Sequence, residues 1–212
     1  MTVEIIDVEQ GTPDWWAAKL GIPSASNFSA VLAGGDGKTR SLYMRKLAGE
    51  IVWGHQREDY RNADMDRGNA MEPHLRATYA LMKNAEPKMV GFVKRTLKTG
   101  FAGYSPDAFV GDDGLLEVKS AAPHVLIEIM RANRVPPEHL PQAHGGMLVT
   151  GRAWCDVIIG FEAAPGYPGA EPPVFRVRRD TGYIARLELA LETFNADLIQ
   201  MVEWVRRWGK VP

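Results

Sequence analysis

An α/β (α+β mixed) fold, a central mixed β-sheet flanked by helices, is predicted by this 212-residue sequence. Three observations point to it. Capping signals bound segments of helical period over roughly the first 80 residues. Between Lys88 and Lys119 the period shortens to strand-like runs around one strong turn, Gly111-Asp112-Asp113-Gly114. From Thr181 to Trp208 one apolar stripe recurs at steps of three and four: Ile184, Leu187, Leu191, Phe194, Leu198, Met201 and Val205.

The elements follow in order. Thr12 can cap a first helix, with Pro13 at its first position and Gly21 at its end. Ser24-Ala25-Ser26 opens a second short helical run toward Leu32, and Gly34-Gly35-Asp36-Gly37 reads as a loop. A longer helix follows from Ser41 to Trp53. After the polar stretch Gly54–Asp66 comes a helix over Gly68–Met82, with Pro73 near its first turn, where a missing N–H costs little. Lys88–Val93, Phe101–Tyr104, Asp107–Val110 and Leu115–Lys119 are the strands. Helices return at His124–Ala132 and Glu138–Leu148, then strands at Ala153–Phe161 and Val174–Val177, joined by a Pro/Gly-rich loop. The long helix closes the chain.

Composition narrows the class. Lys and Arg number 25 against 26 Asp and Glu, a formal net charge of -1, with 45% hydrophobic and 24% charged residues. This is ordinary globular composition, neither wholly disordered nor collagen-like. One domain over 1–212, burying roughly 70% of its unfolded surface, suits that length. The near-neutral charge argues against a generally basic nucleic-acid coating protein, but a local positive field beside metal-holding acids stays compatible with it. Cys155 is the only cysteine, so no internal disulfide or cysteine zinc cage can form. Lacking a long apolar run or a leader-like start, the chain is expected to be cytoplasmic and to use no membrane.

The chemistry concentrates in Ser105-Pro106-Asp107, nine residues, then Glu117-Val118-Lys119. On a strand, period-two alternation puts Glu117 and Lys119 on one face and Leu116 and Val118 on the other. The preceding hairpin brings Asp107 alongside that face. Two carboxylates and one ammonium then share a small volume, as phosphodiester hydrolysis requires. Carboxylate oxygens suit Mg²⁺, and Lys119 can orient or deprotonate the attacking water and offset transition-state charge. The bland reading is a solvated Glu/Lys pair on a strand face.

Four blocks in order resemble the PD-(D/E)xK nucleases, a restriction-endonuclease-like core, and more narrowly the lambda-exonuclease (YqaJ-like) viral recombinase family. Gly11-Thr12-Pro13-Asp14-Trp15 through Leu20-Gly21-Ile22-Pro23-Ser24-Ala25-Ser26 is similar to the family's amino-terminal block. Arg67-Gly68-Asn69-Ala70-Met71-Glu72 resembles a second block, the Asp107/Glu117/Lys119 segment a third, and His139-Leu140-Pro141-Gln142 a fourth.

The resemblance implies Asp107 and Glu117 as metal ligands, with the Val118 carbonyl beside them and Lys119 as the catalytic lysine. Glu72, read alone only as an early-helix acid, becomes the carboxylate of a second metal position, so that two Mg²⁺ ions are expected, with Mn²⁺ as a substitute. Gln142 would steady the attacking water or the lysine. Lys19, Ser24 and Ser26 would grip the 5′ phosphate of the digested strand, although read alone the serines are caps and Lys19 a solvated side chain. Met65 would be the wedge at the end base pair. Lys38, Arg40, Arg45 and Lys46 are candidate DNA contacts. The implied activity is Mg²⁺-dependent 5′→3′ exonuclease action on linear duplex DNA, yielding mononucleotides and a 3′ single-stranded overhang for phage-type recombination. The implied partners are DNA ends, two further copies in a trimeric ring, and a single-strand annealing protein.

Three positions depart from the family pattern. Lys19 stands where Arg is common, replacing a bidentate fork with a point charge. His139 replaces a tyrosine, and Asp66-Arg67 a tryptophan. Two other readings stay open: an endonuclease of the same fold, and a catalytically inactive DNA-end-binding protein. Gly37-Lys38-Thr39 lacks the first glycine of a phosphate-binding loop, and His139/His144 lack the spacing and Glu of a zinc-protease helix.

Overall fold

The structure, a computed structural model, describes residues 2–33, 37–55, 63–160 and 171–208, with the side chains of 63–67 and 69 outside that description. Residues 34–36 of the expected glycine loop, part of the polar stretch before Asp66 and most of the Pro/Gly-rich loop lie outside the described residues.

Seven α-helices and two sheets make up the described chain. Strand β1 (Val3–Ile6) was not anticipated: three of its four residues are exposed, so no alternation marks it, and it exists through antiparallel pairing with β2 (Phe92–Thr96). Helix α1 (Pro13–Lys19) has the expected cap, the Trp15 N–H donating to Thr12 Oγ1, and Pro13 in its first turn. A 3₁₀ turn (Ala25–Asn27) and α2 (Phe28–Leu32) follow. Helix α3 (Lys38–Trp53) begins three residues earlier than expected and stops at Gly54, whose φ of 75° suits glycine.

Helix α4 (Ala63–Lys83) corrects the expected boundary. It starts five residues early, so Pro73 lies in its interior rather than near its first turn. Interior proline forfeits a helical hydrogen bond. Packing supports the helix nonetheless: Met71, Leu75 and Tyr79 bury against Ala108, Leu116 and Ile158 of the sheet.

The expected single central sheet is two. Strands β1, β2 and β3 (Phe101–Tyr104) form an antiparallel trio. Strands β4 (Ala108–Val110), β5 (Gly114–Ser120), β6 (Trp154–Gly160) and β7 (Val174–Arg178) form a mixed sheet in that order, parallel only between β5 and β6. The expected strand Lys88–Val93 is displaced, since Lys88 makes only an isolated bridge to Phe109 and pairing with β3 runs from Val93 to Thr96. Helices α5 (Pro123–Ala132) and α6 (Leu140–Thr150) supply the crossover that parallel β5 and β6 need. The hairpin turn between β4 and β5 is where the sequence places it.

Helix α7 (Thr181–Arg207), capped by Asp180, buries Ile184, Leu187, Leu191, Phe194 and Leu198 as its stripe predicts, with Val202 rather than Val205 fully buried at its end. It packs on α3, α2 and α6. One face of the mixed sheet (Leu115, Val157, Ile159) belongs to this large core; the other (Leu116, Ile158) meets α4. No helix among the described residues is long and apolar enough to cross a membrane.

His144, stacked on Tyr183 at 4.3 Å between ring centroids, is buried, and burial holds its pKa below the ordinary 6.5. The folded state thus binds this proton less readily than the unfolded chain. Stability rises with pH through that window and is lost as pH falls below the ordinary value. The expected result is a melting temperature that drops on acidification below about pH 6.5. In His144→Phe that drop becomes shallower; an unchanged slope would assign it elsewhere.

Candidate active site

Pro106 opens the site. Continued past Ala108↔Leu116, the β4–β5 register would set Pro106 opposite Val118, but proline has no N–H to contribute to the ladder. The Val118 N–H instead donates to Asp107 Oδ2 at 2.6 Å, and Gln10 Nε2 donates to the Pro106 carbonyl at 2.9 Å. The N–H and C=O of one strand residue leave by the same edge. The Val118 carbonyl therefore opens on the Asp107 side, where the ladder offers it no donor.

Glu117 and Lys119 share a face of β5, as alternation requires. Lys119 Nζ donates to Glu117 Oε2 at 2.9 Å, and the Tyr104 hydroxyl donates to Glu117 Oε1. Glu117 is only 1% exposed, so both oxygens need those donors. Burial, then the neighbouring Glu117, raise the Asp107 pKa well above the usual carboxylate range. Burial disfavours the charged form of Lys119, yet Glu117 and Asp107 outweigh it and hold the ammonium's pKa above its ordinary value. Burial and then Glu117 likewise keep the Tyr104 phenol protonated.

A cleft of about 600 Å³ joins this centre to the amino-terminal block. Asp107, Glu72 and Arg76 line it, together with Lys19, Ser24 and Lys46. Arg76 Nη1 donates to Glu72 Oε1 at 2.6 Å and to the Asp107 carbonyl at 3.2 Å, tying α4 to the start of β4. Trp15 Nε1 donates to Ser105 Oγ at 2.9 Å, which ties α1 to the same segment. The Lys19 ammonium lies over both indoles, 4.0 Å from the Trp15 ring centre and 5.0 Å from that of Trp16.

Other expected residues are distributed unevenly. Ser24 is buried with its N–H on the Tyr43 hydroxyl, and its side chain makes no cap. Ser26 is exposed, accepts from Asn27 Nδ2 and does not line the cleft, whereas Asn27 does. The helices that follow Ser24 are short, a three-residue 3₁₀ turn and a five-residue helix, and carry little dipole. Gln142 is half-buried on the first turn of α6. Nearby His139 has its pKa lowered by burial and then by Lys119, which puts the fourth block in electrical contact with the lysine. Lys38 is exposed at the start of α3. Arg40 pairs with Asp197 of α7, 2.7 Å away, and is only 12% exposed. Arg45 bonds Ser41, and both arginines line the α3–α7 groove instead of the cleft. Met65 lies on α4, but its side chain falls outside the described residues.

Metal-binding capacity follows from the donors. Among the described residues no three His, Cys, Asp or Glu side chains already stand gathered at metal-ligand spacing; Glu72 is held by Arg76. Asp107, Glu117 and the Val118 carbonyl remain as hard oxygen donors around a small volume. Burial, and then the neighbouring Glu117, raise the proton affinity of Asp107, and a divalent cation would supply compensating charge there. The donor set fits one Mg²⁺; a second would require Glu72 to leave Arg76.

Residues 14–153 match the YqaJ-like viral recombinase domain. The chain belongs to that family. This YqaJ-like chain is similar in structure to the alkaline exonuclease LHK-Exo from Laribacter hongkongensis: 32% identity, TM-score 0.82, 92% of this chain and 97% of the other covered. The same exonuclease in complex with dAMP superposes with a TM-score of 0.83 at equal identity and coverage. A phage-related exonuclease from Haemophilus somnus 129PT, 12% identical with a TM-score of 0.58 over 84% of this chain and 95% of the other, shares the fold alone. No curated protein sequence matches significantly. The YqaJ-like family places the chain among nucleic-acid hydrolases.

Residue reasoning missed Tyr104, Arg76, Asn27 and the Trp15–Ser105 link. Tyr104 and the Trp15–Ser105 link depend on partners far away in sequence, which no local spacing signals; Glu72 and Arg76, by contrast, form an i,i+4 pair that helical spacing could have shown.

Proposed function

We propose that this YqaJ-like protein is a Mg²⁺-dependent exonuclease that digests one strand of linear duplex DNA from its 5′ end. The observation that carries the reading is the convergence of Asp107, Glu117 and Lys119 where Pro106 breaks the β4–β5 ladder, beside a cleft that Asp107 lines together with Lys19 and Ser24. Asp107, Glu117 and the Val118 carbonyl would hold Mg²⁺, and Mn²⁺ in its place; Glu72 would serve a second ion. The chemistry supplied there by the cation is Lewis acidity toward phosphate oxygens and water.

The chain's own groups do the rest. Lys119, bonded to Glu117, would orient or deprotonate the attacking water and offset charge on the pentavalent phosphate. His139, in the turn before α6, feels the charge of Lys119, and Gln142, three residues on, would steady the attacking water or the lysine. Lys19, Ser24 and Lys46 would seat the terminal phosphate, with Asn27 taking the place first given to Ser26. Lys19 is a point charge shared with two indoles, so discrimination between 5′ phosphate and hydroxyl should be modest. A ring of three copies with a positive channel would reconcile the net charge of -1 with DNA binding. A single-strand annealing protein would receive the 3′ overhang.

The test uses linear duplex labelled separately at each end, with 5′ phosphate or 5′ hydroxyl, in Mg²⁺ or EDTA. Early release of the 5′ label as mononucleotide, only with Mg²⁺, is expected. Internal fragments would instead indicate an endonuclease, and bound but uncut DNA an end-binding protein.

A further inference from the structure

Tyr104 has a hydroxyl that packing does not need. It ends β3, in the sheet that does not carry the acidic centre, and is fully buried in the larger core with Val93, Leu115 and Met147. A phenylalanine ring would fill that volume equally well. A buried hydroxyl costs free energy unless it is bonded, and this one is spent on Glu117 Oε1. The ring itself is held in place: helix α6 passes so close at Gly146 that a Cβ there would sit 2.8 Å from Tyr104 Cε1 and Cζ. The donor is thus rigid, and it comes from a different sheet than its acceptor.

The two oxygens of Glu117 are in different situations. Oε1 faces a donor fixed by the core, whereas Oε2 faces Lys119, a flexible side chain 22% exposed. We infer that Tyr104 is a positioning residue that immobilises Glu117 through Oε1, leaving Oε2 as the single oxygen exchanged between Lys119 and a divalent cation. The inference rests on the metal-dependent reading of the site. It makes Glu117 a one-oxygen ligand of fixed direction, and couples cation binding to release of the lysine toward the substrate.

The experiment compares wild-type protein and Tyr104→Phe, without DNA, by calorimetric titration with Mg²⁺ and with Mn²⁺, alongside thermal melting. Removal of groups that orient metal ligands typically weakens metal affinity about 10- to 100-fold, and a loss in that range is expected. The KM for DNA should stay near wild type, while the Mg²⁺ concentration needed for half-maximal rate rises in parallel. Gly146→Ala, which keeps the hydroxyl but crowds the ring, should weaken cation binding in the same direction. A purely structural tyrosine would lower the melting temperature and leave cation affinity unchanged. That result in Tyr104→Phe overturns the inference alone. Wild-type protein that binds neither cation overturns the metal-dependent reading, and this inference with it.

Discussion

Lys119→Ala is expected to lower the single-turnover rate of DNA hydrolysis by about 10³-fold or more, while DNA binding stays within a few-fold of wild type. The lysine is the ammonium that touches Glu117 and stands beside Asp107. Groups that orient a nucleophile or stabilise developing charge contribute about 10²–10⁴ in rate. Binding should persist because the cations that line the cleft, Lys19, Lys46 and Arg76, are untouched. The variant also leaves the buried Glu117 carboxylate with Tyr104 as its remaining side-chain donor, a loss on the order of 1–3 kcal/mol. Added Mg²⁺ should recover part of that stability by replacing the missing positive charge. Rates measured beside anisotropy of labelled DNA separate the two effects. Wild-type turnover in Lys119→Ala would remove the assigned centre.

Arg176→Met is expected to cause a large loss of stability from a position outside the cleft. Asp156 on β6 is 1% exposed and accepts from Arg176 Nε and Nη2, both at 2.8 Å, and from the Tyr79 hydroxyl at 2.7 Å. Without the arginine, a buried carboxylate retains one phenolic donor. Breaking a buried pair by removing one partner costs about 3–5 kcal/mol. Arg176 is 44% exposed, so solvent screens part of this, and about 3 kcal/mol is the better expectation. For a chain of this length that lowers the melting temperature by roughly 6–12 °C. Asp156→Asn in the same background should return part of the loss, since the neutral amide can stay buried beside Tyr79. No recovery would mean that stacking of Arg176 on Trp154, 3.7 Å to the ring centre, carries the effect. The pair matters for the site because Tyr79 lies two turns beyond Glu72 on α4, and its bond to Asp156 fixes that helix against the sheet.

What was legible in the sequence is local. The hairpin Gly111–Gly114, the alternation that puts Glu117 and Lys119 on one face, the Thr12 cap and the stripe of α7 all follow from turn chemistry and periodicity within a few residues. Those rules suffice to bring the acidic centre together and to class the chain. Exposed β1 was invisible because an edge strand needs no buried face, and the α4 start was misjudged because burial of Leu75 and Tyr79 offsets the cost of an interior proline.

By itself, then, the sequence determined the mixed α/β class, the Asp107/Glu117/Lys119 centre and the family. Only the tertiary structure decided which charges line the cleft beside that centre. Lys19, Lys46 and Arg76 line the cleft, while Arg40 is claimed by Asp197 across 157 positions of chain and Ser26 faces away. It alone divided the sheet in two and set Tyr104 against Glu117. The physical reason is range. Backbone preference and alternation act over a few residues, whereas the partner of a charge or a buried hydroxyl is whichever group the packed elements bring within about 3 Å.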